Sequence, residues 1–266
     1  METTAGSLKK MKNQYLKNLE KIEFVVTYAC TGRCKHCSEG DHTASGERID
    51  PLVAAETVKK IAAEYDIKTV MTFGGEPLLY PEVVYAVMSA AKELDIQKRQ
   101  VITNGYFSKN PERITEVAKR LCECGVNDLL VSVDAFHQET IPLAVVRSFV
   151  AEAVRLGIPT RIQPAWLVSP EDGNPYNEKT RELLSAFADL GTRVSEGNVV
   201  FPKGNALKYL GEYFTAERPK NPYKEDPCNV KCVSFDSNGD VLGGNIYKND
   251  VMEIIKSYNP QKGTEI

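Results

Sequence analysis

The segment CTGRCKHC, Cys30 to Cys37, gathers three of the chain's seven cysteines into eight residues. Thiols spaced x3 then x2 can turn their sulfurs to one side and hold a single centre. Zinc would take three thiolates and complete its tetrahedron with His36 or His42. An iron–sulfur cluster would take one thiolate on each of three irons and leave the fourth iron open, and an open position is where a metal site does chemistry. Three unrelated reduced thiols, or a small structural zinc loop, stay open as readings of this spacing alone. A disulfide framework fits poorly. The cysteine count is odd, and the N-terminal METTAGSLKKMKNQYLKNLEKIE lacks the apolar run of a secretory signal. The expectation is a cytoplasmic chain with reduced thiols.

Other residues able to do chemistry fall in four short segments: FGGEP with Gly74, Gly75, Glu76 and Pro77; VITNG with Thr103 and Asn104; SVD with Ser132 and Asp134; and DAFHQ with His137. A Gly-Gly pair permits backbone angles and close approaches closed to other residues. Hydroxyl, amide and carboxylate groups at strand ends can hydrogen-bond a ligand, although such residues also cap helices. A histidine at this place can move a proton in a pocket. Trp166, the single Trp, lines that pocket or fills the core.

What must position these segments is an alternation of two element types. IEFVVT (22–27), KTVMTF (68–73), RQVIT (99–103), DLLVSV (128–133), TRIQPAW (160–166) and TRVSEGNVVF (192–201) read as buried parallel strands. Stretches with apolar residues at three- and four-residue spacing separate them. The first starts with Asp50 as N-cap and Pro51 at the first helical position, and Gly125 and Gly157 stop two others. Six such units, roughly 30 residues each, are βα repeats. Right-handed crossovers curl them into an α/β fold, a partial (β/α)6 TIM-like barrel of parallel strands. A doubly wound open sheet is the alternative, but no G-x-G-x-x-G follows the first strand. In either layout the four segments and the cysteine loop fall together at the strand ends where sites gather. A net charge of −3 and the absence of a basic stripe argue against nucleic acid, and no run of 18 apolar residues argues for a membrane span.

With these motifs in register, the chain resembles the radical S-adenosylmethionine (radical SAM) superfamily. CTGRCKHC fits its C-x3-C-x2-C signature after strand 1, FGGEP its second hallmark after strand 2, TNG its third, and SVD the Ser-x-Asp after strand 4. The resemblance covers residues 22 to about 204. It implies one [4Fe–4S] cluster on Cys30, Cys34 and Cys37, with S-adenosylmethionine on the unique iron. It further implies reductive cleavage to a 5′-deoxyadenosyl radical that abstracts hydrogen from a peptide, protein or small molecule, and an electron donor such as a flavodoxin or ferredoxin. Cofactor contacts would come from His36, Gly74, Gly75, Glu76, Pro77, Thr103, Asn104, Ser132 and Asp134, with the Gly74 and Gly75 carbonyls and Glu76 on the methionine amine. His137 is the candidate catalytic residue. An activase that installs a radical on a partner enzyme, and a zinc-stabilised binding module on a barrel scaffold, are the competing functions.

The expected organisation is an N-terminal helical extension (1–21), the core barrel (22–204) and a C-terminal extension (205–266). In the last, CNVKCVSFDSNGDVLGGNIY reads as a β-hairpin around Asn238-Gly239. It resembles a degenerate SPASM or twitch extension, with Gly244 where the second cysteine is expected. Cys228 and Cys232 are then too few for a second cluster, and Cys122 and Cys124 are structural. Asn205 stands where relatives often carry Arg.

Overall fold

The computed structural model describes residues 12–40, 46–214 and 224–263. His42, residues 1–11 of the expected helical extension and much of the linker lie outside them. Residues 12–20 carry hydrogen-bonded turns rather than a helix, and they seat Leu16 and Leu19 in the core.

Five strands form in the expected places: β1 (Lys21–Val25), β2 (Thr69–Phe73), β3 (Lys98–Thr103), β4 (Asp128–Ser132) and β5 (Thr160–Gln163). Each pairs with the next in parallel. The first four residues of β4 are all buried, so both of its faces are covered, which is why these strands read as continuous apolar runs. The crossovers are α1 (Pro51–Ala62), α2 (Pro81–Glu93), α3 (Pro111–Glu123), the single turn α4 (Ala135–Gln138) and α5 (Leu143–Arg155). Their ends follow local chemistry. Asp50 accepts the Leu52 and Val53 N–H groups ahead of Pro51, and Asn110 does the same for Glu112 and Arg113 ahead of Pro111. Gly125 and Gly157, at φ 85° and 77°, end α3 and α5 in Schellman motifs, with Val126 N–H on the Leu121 carbonyl and Ile158 N–H on that of Ala153.

The last two expected strands, 160–166 and 192–201, are each interrupted. The fifth breaks at Pro164, which has no N–H to give the ladder, leaving β6 (Ala165–Trp166). After α6 (Pro175–Ser185) the sixth divides into β7 (Arg193–Val194) and β8 (Asn198–Val199). Gly197 sits at the break at φ 80°, and a Cβ there would lie 2.5 Å from the Pro164 carbonyl. β5 pairs with β7 and β6 with β8, all in parallel.

The tail differs more. After α7 (Asn205–Leu210), β9 (Cys232–Phe235) does not form one arm of a hairpin. It adds to the main sheet beside β1, in parallel, with Phe24 opposite Phe235. The sheet order is β7-β5-β4-β3-β2-β1-β9, open between its two edges. Asn238-Gly239 forms a turn as expected, but the hairpin proper is β10 (Asp240–Val241) with β11 (Gly244–Asn245). Its loop residues Leu242 and Gly243 have φ 49° and 79°, the signature of a type I′ turn. Gly244 makes the close approach: a Cβ there would stand 2.8 Å from Ile254 in α8 (Val251–Ser257), which packs on α1.

Candidate active site

The C-terminal ends of the parallel strands surround a cavity of about 450 Å³. Its walls hold Cys30, Cys34, Cys37, His36, Gly74, Gly75, Thr103, Asn104, Ser132, Asp134 and His137. Eleven of the thirteen residues expected at the site are therefore brought together. Glu76 and Pro77 are not on the wall. Pro77 is buried at the start of a short 3-10 turn that Glu76 caps.

The cysteine loop is held from three sides. Gly75 N–H donates to the Thr27 carbonyl at 2.7 Å and Glu76 N–H to that of Ala29 at 2.8 Å. A Cβ on Gly74 would lie 2.4 Å from the Thr27 carbonyl oxygen, and one on Gly75 2.3 Å from that of Ala29. The glycine pair thus admits the chain's own backbone, the stretch leading into Cys30. From the opposite side Asn205 donates its N–H to the Cys37 carbonyl and its side-chain amide to that of Cys34. Gly204, at φ 57°, lies where a Cβ would meet the Ser38 and Cys37 carbonyls at 2.4 and 2.7 Å. Behind the loop, Cys34 packs with Phe136, Leu167, Ala206 and Leu210.

Glu76 is fully enclosed. One oxygen accepts the Leu78 N–H and the Thr103 hydroxyl, the other the Asn104 N–H. Burial pushes its carboxyl up to about 7 against the pull of those donors. Its side chain is spent on tying the turn after β2 to the turn after β3. Thr103 points its hydroxyl at Glu76 while also accepting from Gly105 N–H.

 Asp134 is fully buried and caps α4: one oxygen accepts the Phe136 and His137 N–H groups, the other the Ala165 N–H. Its second oxygen also takes the His137 ring Nδ1 at 2.7 Å. Burial alone would raise this carboxyl, yet the adjacent His137 and the N–H donors hold it down at about 2. His36 lies against the Phe136 and His137 rings, with centroids 4.9 and 4.7 Å away. Burial lowers its imidazole to about 4, and its Nδ1 is buried with no hydrogen-bond partner among the described residues.

The donor set fits an iron–sulfur cluster better than a lone zinc. Three thiolates on one zinc would stand ~3.8 Å apart, from Zn–S bonds near 2.3 Å in a tetrahedron. Among the described residues the group with all donor atoms within 4.8 Å is instead Cys34, His36 and His137. Cys30, Cys34 and Cys37 line the cavity without forming such a close group, which suits a larger multi-iron centre better than one zinc. Burial raises all three thiols, Cys30 to about 11 and Cys34 well above its ordinary value. They are protonated until a metal displaces the protons.

Some contributors were not foreseen. Ser234 of β9 reaches the cavity wall, and Asp236 hydrogen-bonds the Tyr28 hydroxyl. Gln163 and Asn198 also line it. The signal for the last two was their place at strand ends; for Ser234 there was none short of the β1–β9 pairing. Trp166 is buried, donates its ring N–H to the Glu196 carbonyl and belongs to the core rather than the wall. Cys122 and Cys124, at the end of α3, are remote from the cavity, their thiols bonded to the Leu156 and Leu121 carbonyls.

Among curated relatives, a probable GTP 3',8-cyclase of Sulfolobus acidocaldarius is 33% identical over 131 residues, 46% of this chain and 37% of that protein. One from Saccharolobus islandicus is 25% identical over 223 residues, 76% of this chain and 67% of the relative. The first of these matches thus spans well under half of the relative's own length. Among solved structures, Streptococcus suis SuiB bound to S-adenosylmethionine aligns with a TM-score of 0.62 at 14% identity, over 92% of this chain and 66% of that one. Native anSMEcpe with bound AdoMet aligns with a TM-score of 0.59 at 14% identity, over 91% and 81%. These likenesses are of fold. Among the described residues no helix is long and apolar enough to cross a membrane. The model of the Radical SAM superfamily matches residues 24–206, more than half of the chain, and the chain belongs to that superfamily: it is an enzyme whose cofactors are a [4Fe–4S] cluster and S-adenosylmethionine.

Proposed function

We propose that this enzyme abstracts a hydrogen atom from a small molecule, or from one side chain of a peptide or protein, presented at the strand ends. The observation that carries the reading is the convergence of Cys30, Cys34 and Cys37 on one cavity with the Gly74-Gly75, Asn104 and Ser132 walls. When bound, the cluster and S-adenosylmethionine supply the 5′-deoxyadenosyl radical that does this chemistry.

The chain's own residues do the rest. Cys30, Cys34 and Cys37 are the cluster ligands. Gly74 and Gly75 present backbone groups on the cavity wall for the methionine end of the cofactor, and Ser132 offers a hydroxyl for its sugar. His36, tilted 30° against the Phe136 ring, offers an apolar face to the adenine. Glu76, Pro77 and Thr103 act one step back, fixing the turns that carry these groups. Asp134 holds His137 by Nδ1, so Nε2 is the nitrogen that takes or gives a proton to the substrate. Protein cavities that enclose a ligand run from about 300 to 1,000 Å³. At about 450 Å³ this one has room, beside a cofactor, for a small group only. That supports a substrate entering as a single side chain or small molecule. A flavodoxin or ferredoxin in the cytoplasm would supply the electron.

Anaerobic reconstitution tests the reading. The wild-type chain should bind about four irons and four sulfides and, once reduced, release 5′-deoxyadenosine and methionine. Cys30, Cys34 and Cys37 replaced together by Ala should abolish the brown absorbance. A triple variant with a full cluster, or release of S-adenosylhomocysteine in place of 5′-deoxyadenosine, would overturn it.

A further inference from the structure

The side chain of Asn104 is committed in a way that its place on the wall does not announce. Its backbone N–H is fixed by Glu76 at 2.8 Å. Its Oδ1 accepts the Tyr106 N–H at 2.8 Å. An amide whose oxygen is so engaged has its orientation set, because swapping oxygen and nitrogen would put two donors face to face. The Nδ2 group therefore turns the other way. There it donates to Thr31 Oγ1 at 3.1 Å and to the Cys30 sulfur at 3.5 Å. Both N–H donors and the oxygen of this side chain are engaged, and the partners lie in the cysteine loop and its own turn.

The Cys30 sulfur takes a side-chain N–H, whereas the Cys37 thiol is met by the backbone N–H groups of Glu39 and Gly40. The Cys30 sulfur also receives the Gly32 N–H at 3.3 Å. The interactions made by Asn205 reach only the carbonyls of Cys34 and Cys37. N–H donors on a ligating sulfur withdraw electron density from the metal, and hydrogen bonds to the sulfurs are among the factors that set a cluster's reduction potential.

We propose that Asn104 raises the reduction potential of the cluster by donating an N–H···S hydrogen bond to the Cys30 sulfur. The inference rests on the cluster assignment above. Asn104 is in this role a positioning and tuning residue for the electron-accepting step, acting through Cys30.

The test is a potentiometric titration of the reconstituted holoenzyme, followed by electron paramagnetic resonance without added S-adenosylmethionine. Asn104→Leu removes the donor at similar volume. Asn104→Asp keeps the acceptor for Tyr106 N–H but turns an oxygen toward the sulfur. Both should make reduction at least tenfold less favourable, a fall of 59 mV or more for a one-electron couple. Asn205→Ala should lower cluster retention and leave the potential in place. Resonance Raman spectra of the wild type should show an Fe–S(Cys) stretch that moves between H2O and D2O, and this sensitivity should diminish in Asn104→Leu. If neither variant keeps its iron, Asn104→Ala takes their place with the same expected fall, and absence of any isotope effect in the wild type, where Gly32 also donates to this sulfur, overturns the proposal outright. Unchanged midpoints in the Asn104 variants, or an equal fall in Asn205→Ala, also overturn it. A wild type that binds no cluster would instead remove the site assignment itself, and this proposal with it.

Discussion

The Glu76 carboxylate accepts the Thr103 hydroxyl at 2.7 Å inside the fold, where neither side chain is open to solvent. Through this bond and the neighbouring one from Asn104 N–H, two turns that differ by a whole βα unit move as one piece. The cysteine loop is joined to the same piece through the Glu76 N–H and the Ala29 carbonyl.

Glu76→Gln puts an NH2 group where one of three donors now points. It should destabilise the protein by about 1–3 kcal/mol, read as a lower midpoint in urea. The pH dependence follows from the carboxyl's rise from its ordinary 4.5 to about 7, caused first by burial. A raised carboxyl contributes stability that is fully present below its unfolded value and is lost as pH rises through about 7. Wild-type stability from this group should therefore decline between pH 4.5 and 7, and Glu76→Gln should flatten that decline. An identical slope in both proteins would show that Glu76 does not titrate there.

Asp134 predicts the opposite sign. Its depressed carboxyl, held at about 2, contributes stability above the unfolded value near 3.8 that is lost as pH falls through about 2. Asp134→Asn should cost about 1–3 kcal/mol at neutral pH, since an amide has one oxygen and cannot accept both from the Phe136 and His137 N–H groups and from Ala165 N–H with the His137 ring. It should also leave His137 without a fixed tautomer, and deoxyadenosine formation should survive better than substrate turnover. Equal losses of both would place Asp134 in cofactor binding alone.

Gly204→Ala tests the clamp on the cysteine loop. The added methyl meets the Cys37 and Ser38 carbonyls, backbone that cannot step aside cheaply. Iron retained after gel filtration should fall at least twofold while far-ultraviolet circular dichroism is unchanged. Full retention would show that the loop has room to give.

Cys228→Ala with Cys232→Ala should leave the iron content at about four per chain. Cys228 is exposed, and the Cys232 thiol hydrogen-bonds Glu23. A drop from about eight irons to about four would reveal a second cluster completed by other ligands.

The legible parts of this molecule were those that depend on nearby residues. The cap at Asp50, the stops at Gly125 and Gly157 and the cysteine spacing each act within a few positions, so residue type and interval carry them. The interruptions at Pro164 and Gly197 were legible in principle, because a proline inside an expected strand is itself a warning. The placement of Glu76 was not. Its partners, Thr103 and Asn104, come from another unit, and a Gly-Gly-Glu-Pro turn looks the same whether its carboxylate faces a ligand or a neighbouring turn. β9 failed for a similar reason. A strand followed by Asn-Gly invites a local partner, whereas its ladder is with β1 at the far end of the chain.

Phe235→Ala measures how much that distant pairing matters. Phe235 is fully buried and stacks on Phe24 with ring centroids 4.9 Å apart. Truncation should cost about 3–5 kcal/mol, and unfolding should remain a single transition monitored at either end of the sheet. Two separated transitions would mean that the tail is an independent unit.

The pairing of Lys21 with Cys232 also orders events during synthesis. β1 and the cysteine loop that follows it leave the ribosome early, while the strand that covers the β1 edge emerges only after the rest of the sheet. Until then the edge of β1 has open N–H and C=O groups, and the wall that Ser234 completes is missing. Ordering so much chain before this long-range contact forms makes the last step slow relative to local folding. The cavity wall therefore takes its final shape only once a strand from late in the sequence has joined the one that leads into the cysteine loop.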